Sequence, residues 1–213
     1  MPEIDWQFEI LGTQEHKDQL TAMIEGAKSF ISDIWAGTEP RWLTLCGKSG
    51  VGKTHIARKI RDFIDKHGRQ IYDRTTRAEI DPERARYLSA YSYAQEGGPL
   101  CKWRYLVDTL RDGDYSPYKR ACNDWFKAVD DIGAAGFSSE KTEPGQAIKM
   151  TPFVLEKLGS LCDERLRKWT VITSNFNRKQ IAESMDVRIA SRLGRDNNVI
   201  IECNVPDFSA RKK

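Results

Sequence analysis

The chain has 213 residues, of which 39% are hydrophobic, and its net charge is +3. This length suits one domain, or one domain with a small appendage. Its apolar runs are far shorter than the roughly 20 residues that span a bilayer, and the N-terminus lacks a basic region followed by an apolar one. We therefore expect a cytoplasmic protein with no membrane partner. Five cysteines, odd in number and far apart, predict reduced, buried thiols rather than a zinc site.

The first half of the chain predicts a helix, a strand, a glycine-rich loop and a second helix. Apolar residues recur at three-and-four spacing over residues 14–35, which is typical of an amphipathic helix. Residues 42–46 form a short apolar run that predicts a buried strand. Helical spacing returns over residues 54–64. The loop therefore lies between a strand and a helix.

This loop, Gly-Lys-Ser-Gly-Val-Gly-Lys-Thr, matches the phosphate-binding pattern of a glycine, four residues and then Gly-Lys-Thr. Glycines let successive N–H groups turn toward phosphate oxygens, the lysine supplies a point charge, and the threonine hydroxyl reaches Mg²⁺. The following helix N-terminus also favours an anion. The pattern predicts bound ATP with Mg²⁺, and the alternative is a plain glycine-rich turn. The candidate nucleotide-binding residues are Gly47, Ser49, Gly50, Val51, Gly52, Lys53, Thr54 and His55.

The middle of the chain predicts a possible strand at residues 87–91 and helices at residues 100–110 and 116–123. A further strand is expected at residues 125–129. Residues 134–146 are rich in Gly, Ser, Glu and Lys, which predicts a mobile loop.

The last third predicts a long helix whose apolar face runs from Val154 to Leu166, then a strand at residues 169–173. Residues 177–185 and 186–193 predict two short helical segments, and residues 199–203 the final strand. Strands that alternate with helices predict an α/β fold in which helices cover both faces of a parallel sheet.

Asp130 and Asp131 follow directly after an apolar strand, where parallel sheets carry their chemistry. One carboxylate there could hold Mg²⁺ through water, and the second could orient or deprotonate an attacking water. We assign these roles to Asp130 and Asp131 respectively. The alternative is a solvated acidic turn.

Asn175 ends the next predicted strand, where its amide could bind a γ-phosphate or the attacking water. A turn or a helix cap is the structural alternative. Arg188 and Arg192 are four residues apart and so share one helix face. Surface ion pairing is the usual role of such residues, but in a head-to-tail assembly one guanidinium could reach the γ-phosphate of a neighbouring subunit.

Four motifs in this order, GKSGVGKTH, FKAVDDIG, KWTVITSN and DVRIASRLGR, resemble the AAA+ ATPases of the DnaC/IstB group. This group includes replicative helicase loaders and transposition helper ATPases. The resemblance extends from about Phe8 to the C-terminus and implies a P-loop NTPase of AAA+ type without a C-terminal lid domain. It implies slow, assembly-dependent hydrolysis of ATP to ADP and phosphate.

The resemblance also implies a role for each matched residue. Lys53 and Thr54 would bind phosphate and Mg²⁺, and Asp130 would be the Walker B acid. Asp131 stands where many AAA+ proteins have glutamate, and Asn175 would be the sensor 1 residue.

In the same resemblance Arg192 would be an arginine finger acting in trans. The resemblance does not separate the contribution of the neighbouring Arg188 from that of Arg192. The implied assembly is a head-to-tail homo-oligomer, helical or ring-like, with a replicative helicase and single-stranded DNA as partners. Lys102, Trp103 and Arg104 form an aromatic and basic cluster and are the candidate DNA contacts. The alternative for Trp103 is a place in the core.

These expectations divide the chain into an N-terminal segment at 1–37, an AAA+ core at 38–205 and a basic tail at 206–213. From Arg165 onward there are 11 Lys and Arg against 5 Asp and Glu, which permits a polyanion partner. A helicase loader is the leading hypothesis. The alternatives are a transposition helper that coats duplex DNA, a small nucleoside or nucleotide kinase, and a non-enzymatic module that uses ATP only to stay folded.

Overall fold

A computed structural model describes residues 1–6, 13–76, 99–133 and 150–206 of the chain. The elements within these residues are numbered in chain order. They are α1 (Gln14–Ala36), β1 (Trp42–Gly47), α2 (Lys53–Thr76), β2 (Leu100–Lys102), α3 (Trp103–Arg111), α4 (Ser116–Asn123), β3 (Phe126–Asp130), α5 (Pro152–Glu164), β4 (Trp169–Ser174), α6 (Arg178–Ser184), α7 (Val187–Leu193) and β5 (Val199–Cys203).

The strands form one five-stranded sheet in the order β2-β3-β4-β1-β5, and every neighbouring pair is parallel. Strand β4 lies between β1 and β3, with Cys46 opposite Ser174 and Val129 opposite Ile172. The carboxyl ends of β1, β4 and β3 therefore meet at one edge of the sheet. The predicted parallel sheet is confirmed.

Hydrophobic clusters cover both faces of this sheet. Leu43 and Leu45 of β1 belong to the cluster that includes Phe30 of α1, whereas Trp42 and Cys46 belong to the opposite cluster. This alternation is what a strand with two buried faces produces. Helices α1 and α2 pack on the first face, and α3, α5 and α7 supply most of the second. All five cysteines are free and buried, as predicted.

The sequence prediction of a helix over residues 100–110 is wrong at its start. Leu100–Lys102 forms the edge strand β2, and Cys101 lies opposite Val129 of β3. Pairing with a neighbouring strand, which local spacing does not reveal, decides the conformation of these three residues. The predicted strand at 87–91, the predicted loop at 134–146 and the tail at 207–213 lie outside the described residues.

Two helix boundaries also differ from the prediction. Helix α2 continues to Thr76, well beyond residue 64, and α5 ends at Glu164. Leu166, predicted to lie on the apolar face of α5, follows that end and is 40% exposed. In the described part of the chain no helix has the length and apolar character needed to cross a membrane.

The end of α5 is fixed by the buried guanidinium of Arg165. It donates hydrogen bonds to the carbonyl oxygens of Ala121 (2.6 Å), Asp124 (3.1 Å) and Trp169 (2.6 Å), and to Thr170 Oγ1 (2.9 Å). Burial lowers the pKa of Arg165 to about 10, so the group stays charged at neutral pH. This one side chain joins α4 and α5 to the start of β4 at the edge of the sheet opposite the carboxyl ends.

We expect Arg165→Ala to lower the free energy of unfolding by about 3 kcal/mol, because three carbonyl groups would lose their donor inside the protein. Urea denaturation followed by circular dichroism measures this loss. Arg120→Ala, which removes an exposed arginine of α4, is the matched control and should change stability by less than about 0.5 kcal/mol. Equal losses in the two variants would contradict the structural role of Arg165.

Candidate nucleotide site

The loop between β1 and α2 has the backbone geometry that its glycines permit. Gly47, Gly50 and Gly52 have positive φ angles of 137°, 78° and 100°. A Cβ atom at Gly47 would overlap the carbonyl oxygen of Cys203 on the adjacent strand β5. Glycine is therefore required at Gly47 by both its φ angle and a close backbone contact.

Lys53 begins α2 and is buried beneath this loop. Its Nζ donates to the carbonyl oxygens of Gly47 (2.8 Å) and Lys48 (2.7 Å) and to Asn175 Oδ1 (2.9 Å). Burial lowers the pKa of Lys53, and the nearby charge of Asp131 opposes that shift. The ammonium group is thus held at the centre of the site by oxygen atoms from two loops.

Asp130 ends β3 and is buried. Its Oδ1 accepts hydrogen bonds from Thr54 Oγ1 (2.8 Å) and Thr173 Oγ1 (2.6 Å). The Thr173 hydroxyl in turn accepts from the backbone N–H of Asp131 (2.8 Å). Thr173 was not among the candidate site residues from the sequence. Its position at the end of β4, two residues before Asn175, could have indicated that it belongs to the site. The contact between Thr54 and Asp130 joins two motifs that are far apart in sequence.

Asp131 has a φ of 59°, a left-handed conformation that aspartate adopts more readily than most residues. Its Oδ1 accepts a hydrogen bond from Asn175 Nδ2 (2.9 Å). Burial raises the pKa of Asp131, and the neighbouring charge of Asp130 raises it further, while Lys53 lowers it. Asn175 therefore connects Lys53 on one side with Asp131 on the other.

The turn that follows Asp131 packs closely against the end of β4. A Cβ atom at Gly133 would lie 2.6 Å from the Phe176 ring, so glycine allows this approach. The backbone N–H of Ile132 also donates to the Thr173 carbonyl (3.0 Å). These contacts fix the backbone on both sides of the Asp131–Asn175 hydrogen bond.

Together these residues surround a cleft of about 350 Å³, within the size range of small-ligand sites. It is lined by Ser49, Gly50, Gly52, Lys53, Thr54, His55, Arg58, Asp131, Thr173 and Asn175. Most of the predicted nucleotide and catalytic residues thus come together. Val51 instead packs into the core, and Arg58 is a lining residue that the sequence prediction missed.

The oxygen atoms of Thr54 and Asp130 fit a site for Mg²⁺. Mg²⁺ prefers oxygen ligands and is commonly held by one or two protein groups together with substrate phosphates. Among the described residues there is no cluster of three or more His, Cys, Asp or Glu side chains that could hold a metal by itself. The residues present therefore suit a metal that arrives with a phosphate ligand.

The two arginines of α7 have different surroundings. Arg192 Nη2 lies 2.6 Å from Asp163 Oδ1 of α5, and its side chain is 23% exposed. Arg188 is 80% exposed and makes two hydrogen bonds to Asp186, the residue that caps its own helix. The trans-acting role of Arg192 stays a prediction.

Of the three candidate DNA contacts, Trp103 is fully buried in the core cluster that faces α5. Its ring packs against other apolar side chains, so the expectation that Trp103 stacks on a base is wrong for this structure. Lys102 and Arg104 are exposed on either side of it, and Arg104 lies 3.7 Å from Asp108. DNA contact by these two residues stays a prediction.

No protein-family model and no curated protein matches the sequence. Several solved structures have a similar fold. AMPPCP-bound DnaA from Aquifex aeolicus matches 96% of this chain at 13% identity with a TM-score of 0.55. A crystal structure of a DNA replication initiation factor matches 96% at 12% identity with a TM-score of 0.52. This is the AAA+ P-loop fold.

The AAA+ fold agrees with the predicted fold class, and at these identities the likeness concerns the fold alone. The chain spans about half of each matched structure, 52% of the first and 50% of the second. Membership of the DnaC/IstB group and the expected lack of a lid domain stay predictions.

We expect Asp131→Asn to increase the free energy of unfolding at neutral pH. The pKa of Asp131 is raised above 3.8 in the folded chain, so folding disfavours the charged carboxylate. Asparagine carries no charge, tolerates the left-handed conformation and still accepts the hydrogen bond from Asn175. The gain should be complete above the folded pKa and should shrink as the pH falls through it. Urea titrations from pH 8 down to about pH 4, near the ordinary pKa of aspartate, measure the gain and its decrease.

Asp186→Asn is the control of opposite sign. Hydrogen bonds from Arg188 lower the pKa of Asp186, so its charge stabilises the fold above the unfolded pKa. Asp186→Asn should therefore reduce stability at neutral pH. A loss of stability in Asp131→Asn at pH 8 would contradict the electrostatic cost assigned to Asp131.

Proposed function

We propose that this chain is an ATPase of DNA replication that assembles on DNA, as a helicase loader or a related accessory protein. One observation carries the ATPase part: a continuous hydrogen-bonded path runs from Lys53 through Asn175 to Asp131. It links the group expected to bind phosphate to the group expected to act on water. A plain glycine-rich turn needs no such path.

In the proposed binding step the triphosphate enters beside Ser49, Gly50 and Gly52, where N–H groups of a glycine loop can cradle phosphate oxygens. Lys53 then exchanges its bonds to the carbonyl oxygens of Gly47 and Lys48 for bonds to phosphate. A charged acceptor makes these bonds stronger than the ones they replace. Thr54 and Asp130 would hold Mg²⁺, which when bound neutralises phosphate charge.

In the proposed hydrolysis a water oxygen attacks the γ-phosphorus and the bond to the ADP oxygen breaks. Asp131 accepts a proton from the attacking water, and its raised pKa suits this role because the proton is held more strongly. The Asn175 amide positions either the γ-phosphate or that water. Its contact with Asp131 keeps the two groups at the same end of the cleft.

In the proposed assembly Arg192 reaches the nucleotide of an adjacent subunit. Within its own chain it is paired with Asp163, so acting in trans requires that this ion pair open. Such a pair is partly exposed and costs little to break. ATP would then stabilise the interface between subunits, and hydrolysis would weaken it.

The link to replication is supported by the two fold neighbours, a DnaA protein and a replication initiation factor. The resemblance of the sequence motifs to the DnaC/IstB group supports the more specific proposal of a helicase loader. Pull-down with a replicative helicase, compared with a transposase, separates the loader from a transposition helper. Phosphate transfer to a nucleoside would favour the kinase alternative instead.

Lys53→Ala should raise the dissociation constant for ATP at least about tenfold, because it removes the buried cation from the loop. Isothermal titration calorimetry with a non-hydrolysable ATP analogue and Mg²⁺ measures this change. Lys66→Ala removes an exposed lysine from the same helix and should leave the affinity unchanged. Unchanged binding by Lys53→Ala would place the nucleotide elsewhere.

Arg192→Ala should retain ATP binding but lose DNA-stimulated hydrolysis about a thousandfold, since the finger acts only across an assembled interface. Phosphate release with and without single-stranded DNA measures this loss. Arg188→Ala, on the same helix face, measures the separate contribution of that arginine, and Arg195→Ala, which removes an exposed arginine after α7, is the control that should retain hydrolysis. Full turnover by an assembled Arg192→Ala protein would contradict the trans role.

Asp131→Asn also separates an ATPase from a module that uses ATP only to stay folded. We expect this variant to bind ATP and to hydrolyse it at least about a hundredfold more slowly, because the general base is gone. If the Asp131→Asn variant still supported the function of the protein in the cell at the unmodified level, the non-enzymatic alternative would be favoured.

A further inference from the structure

Arg58 lines the nucleotide cleft, although it belongs to none of the sequence motifs. It lies on α2 four residues after Thr54, and its side chain is exposed. Residues four apart on a helix share a face. Arg58 therefore lies about one helical turn after Thr54, on the same face of α2.

The direction of helical side chains brings Arg58 toward the phosphates. The bond from Cα to Cβ tilts toward the helix N-terminus, and long side chains lie over the preceding turn. In α2 the preceding turn begins with Lys53 and Thr54. This geometry directs the Arg58 side chain over that turn, and Arg58 lines the same cleft as Asp131 and Asn175.

The neighbouring cations of α2 are engaged elsewhere. Lys59 Nζ donates to the carbonyl oxygen of Asp5 (2.9 Å), and Arg61 contacts Asp62 (2.6 Å) and Asp65 (3.8 Å). Arg58 makes no ion pair with any residue in the described ranges, and it faces the cleft. Its charge is accordingly available to a ligand there.

A nucleoside triphosphate matches this arrangement better than a diphosphate does. Lys53 is the only other lysine or arginine that lines the cleft among the described residues, and it lies beneath the loop. A γ-phosphate would extend past Lys53 toward Asp131, where a carboxylate repels it. The Arg58 guanidinium, which lines the same cleft, offsets that repulsion and can bind two phosphate oxygens at once.

We propose that Arg58 binds the terminal phosphate within its own subunit and so makes the site prefer a nucleoside triphosphate over a diphosphate. This inference rests on the proposed nucleotide-binding function. Arg58 provides a cation in cis, distinct from the trans-acting Arg192. Loss of the γ-phosphate removes its ligand, so Arg58 responds directly to hydrolysis.

The test compares Arg58→Ala with the matched control Arg61→Ala, both on α2. Calorimetry with Mg²⁺ measures the affinity for a non-hydrolysable ATP analogue and for ADP, and thermal unfolding verifies that each variant is folded. We expect Arg58→Ala to weaken binding of the ATP analogue about tenfold and binding of ADP less than about twofold. Arg58→Lys should fall between, because lysine keeps the charge but not the planar fork. Arg61→Ala should match the unmodified chain.

Two outcomes overturn the inference while leaving the proposed function intact. One is an equal loss of affinity for both nucleotides in Arg58→Ala, and the other is no change for either, with the unmodified chain binding both. Failure of the unmodified chain to bind any nucleotide would overturn the proposed function, and this inference with it.

Discussion

A hydrogen bond of 2.9 Å between the Lys53 ammonium and the Asn175 amide oxygen joins the glycine loop to the end of β4. It forms because β4 lies between β1 and β3, which places Asn175 midway between the two loops that follow those strands. The amide has one oxygen and one NH₂ group, so it can accept from Lys53 and donate to Asp131 at the same time. The order of strands in the sheet thus determines which side chains can form hydrogen bonds with one another within the site.

The site also concentrates features that oppose folding. It holds a buried lysine, two adjacent carboxylates and an aspartate in a left-handed conformation. Each is costly for a core, and such costs are typical of functional sites. The opposite edge of the sheet contains a buried charge, the guanidinium of Arg165, each of whose three nitrogen atoms donates to an acceptor. One end of the sheet is therefore organised for stability and the other for binding.

Much of the fold was predictable because its signals are local. The helix at Ser116–Asn123 and the strand at Val199–Cys203 have the predicted bounds, since turn residues delimit them. The strand at Leu100–Lys102 was not predictable in this way, because three residues next to a helix acquire strand structure only by pairing with β3.

The site was predictable to a similar degree. Lys53, Thr54 and Asp130 belong to motifs whose spacing is known, and the sheet brings them together. Thr173 lies within the KWTVITSN motif but was given no role, and Arg58 belongs to no motif. The contribution of Thr173 depends on which strand ends are adjacent, and that of Arg58 on which way a helix turns. For Trp103 the basic and aromatic sequence pattern left both base stacking and a place in the core open, and the fold places the ring in the core.

The contact between Gly47 and β5 limits how the glycine loop can move. The Cys203 carbonyl oxygen already touches the position that a side chain at Gly47 would occupy, so the loop cannot shift toward that strand. Any rearrangement must take place beyond this fixed point, in residues 48–52. Gly47 then acts as an anchor, and the two following glycines with positive φ, Gly50 and Gly52, are where the backbone can hinge. The loop is thus held at both ends, by Gly47 against β5 and by the buried Lys53 at the start of α2, and only the residues between them can move to meet a ligand.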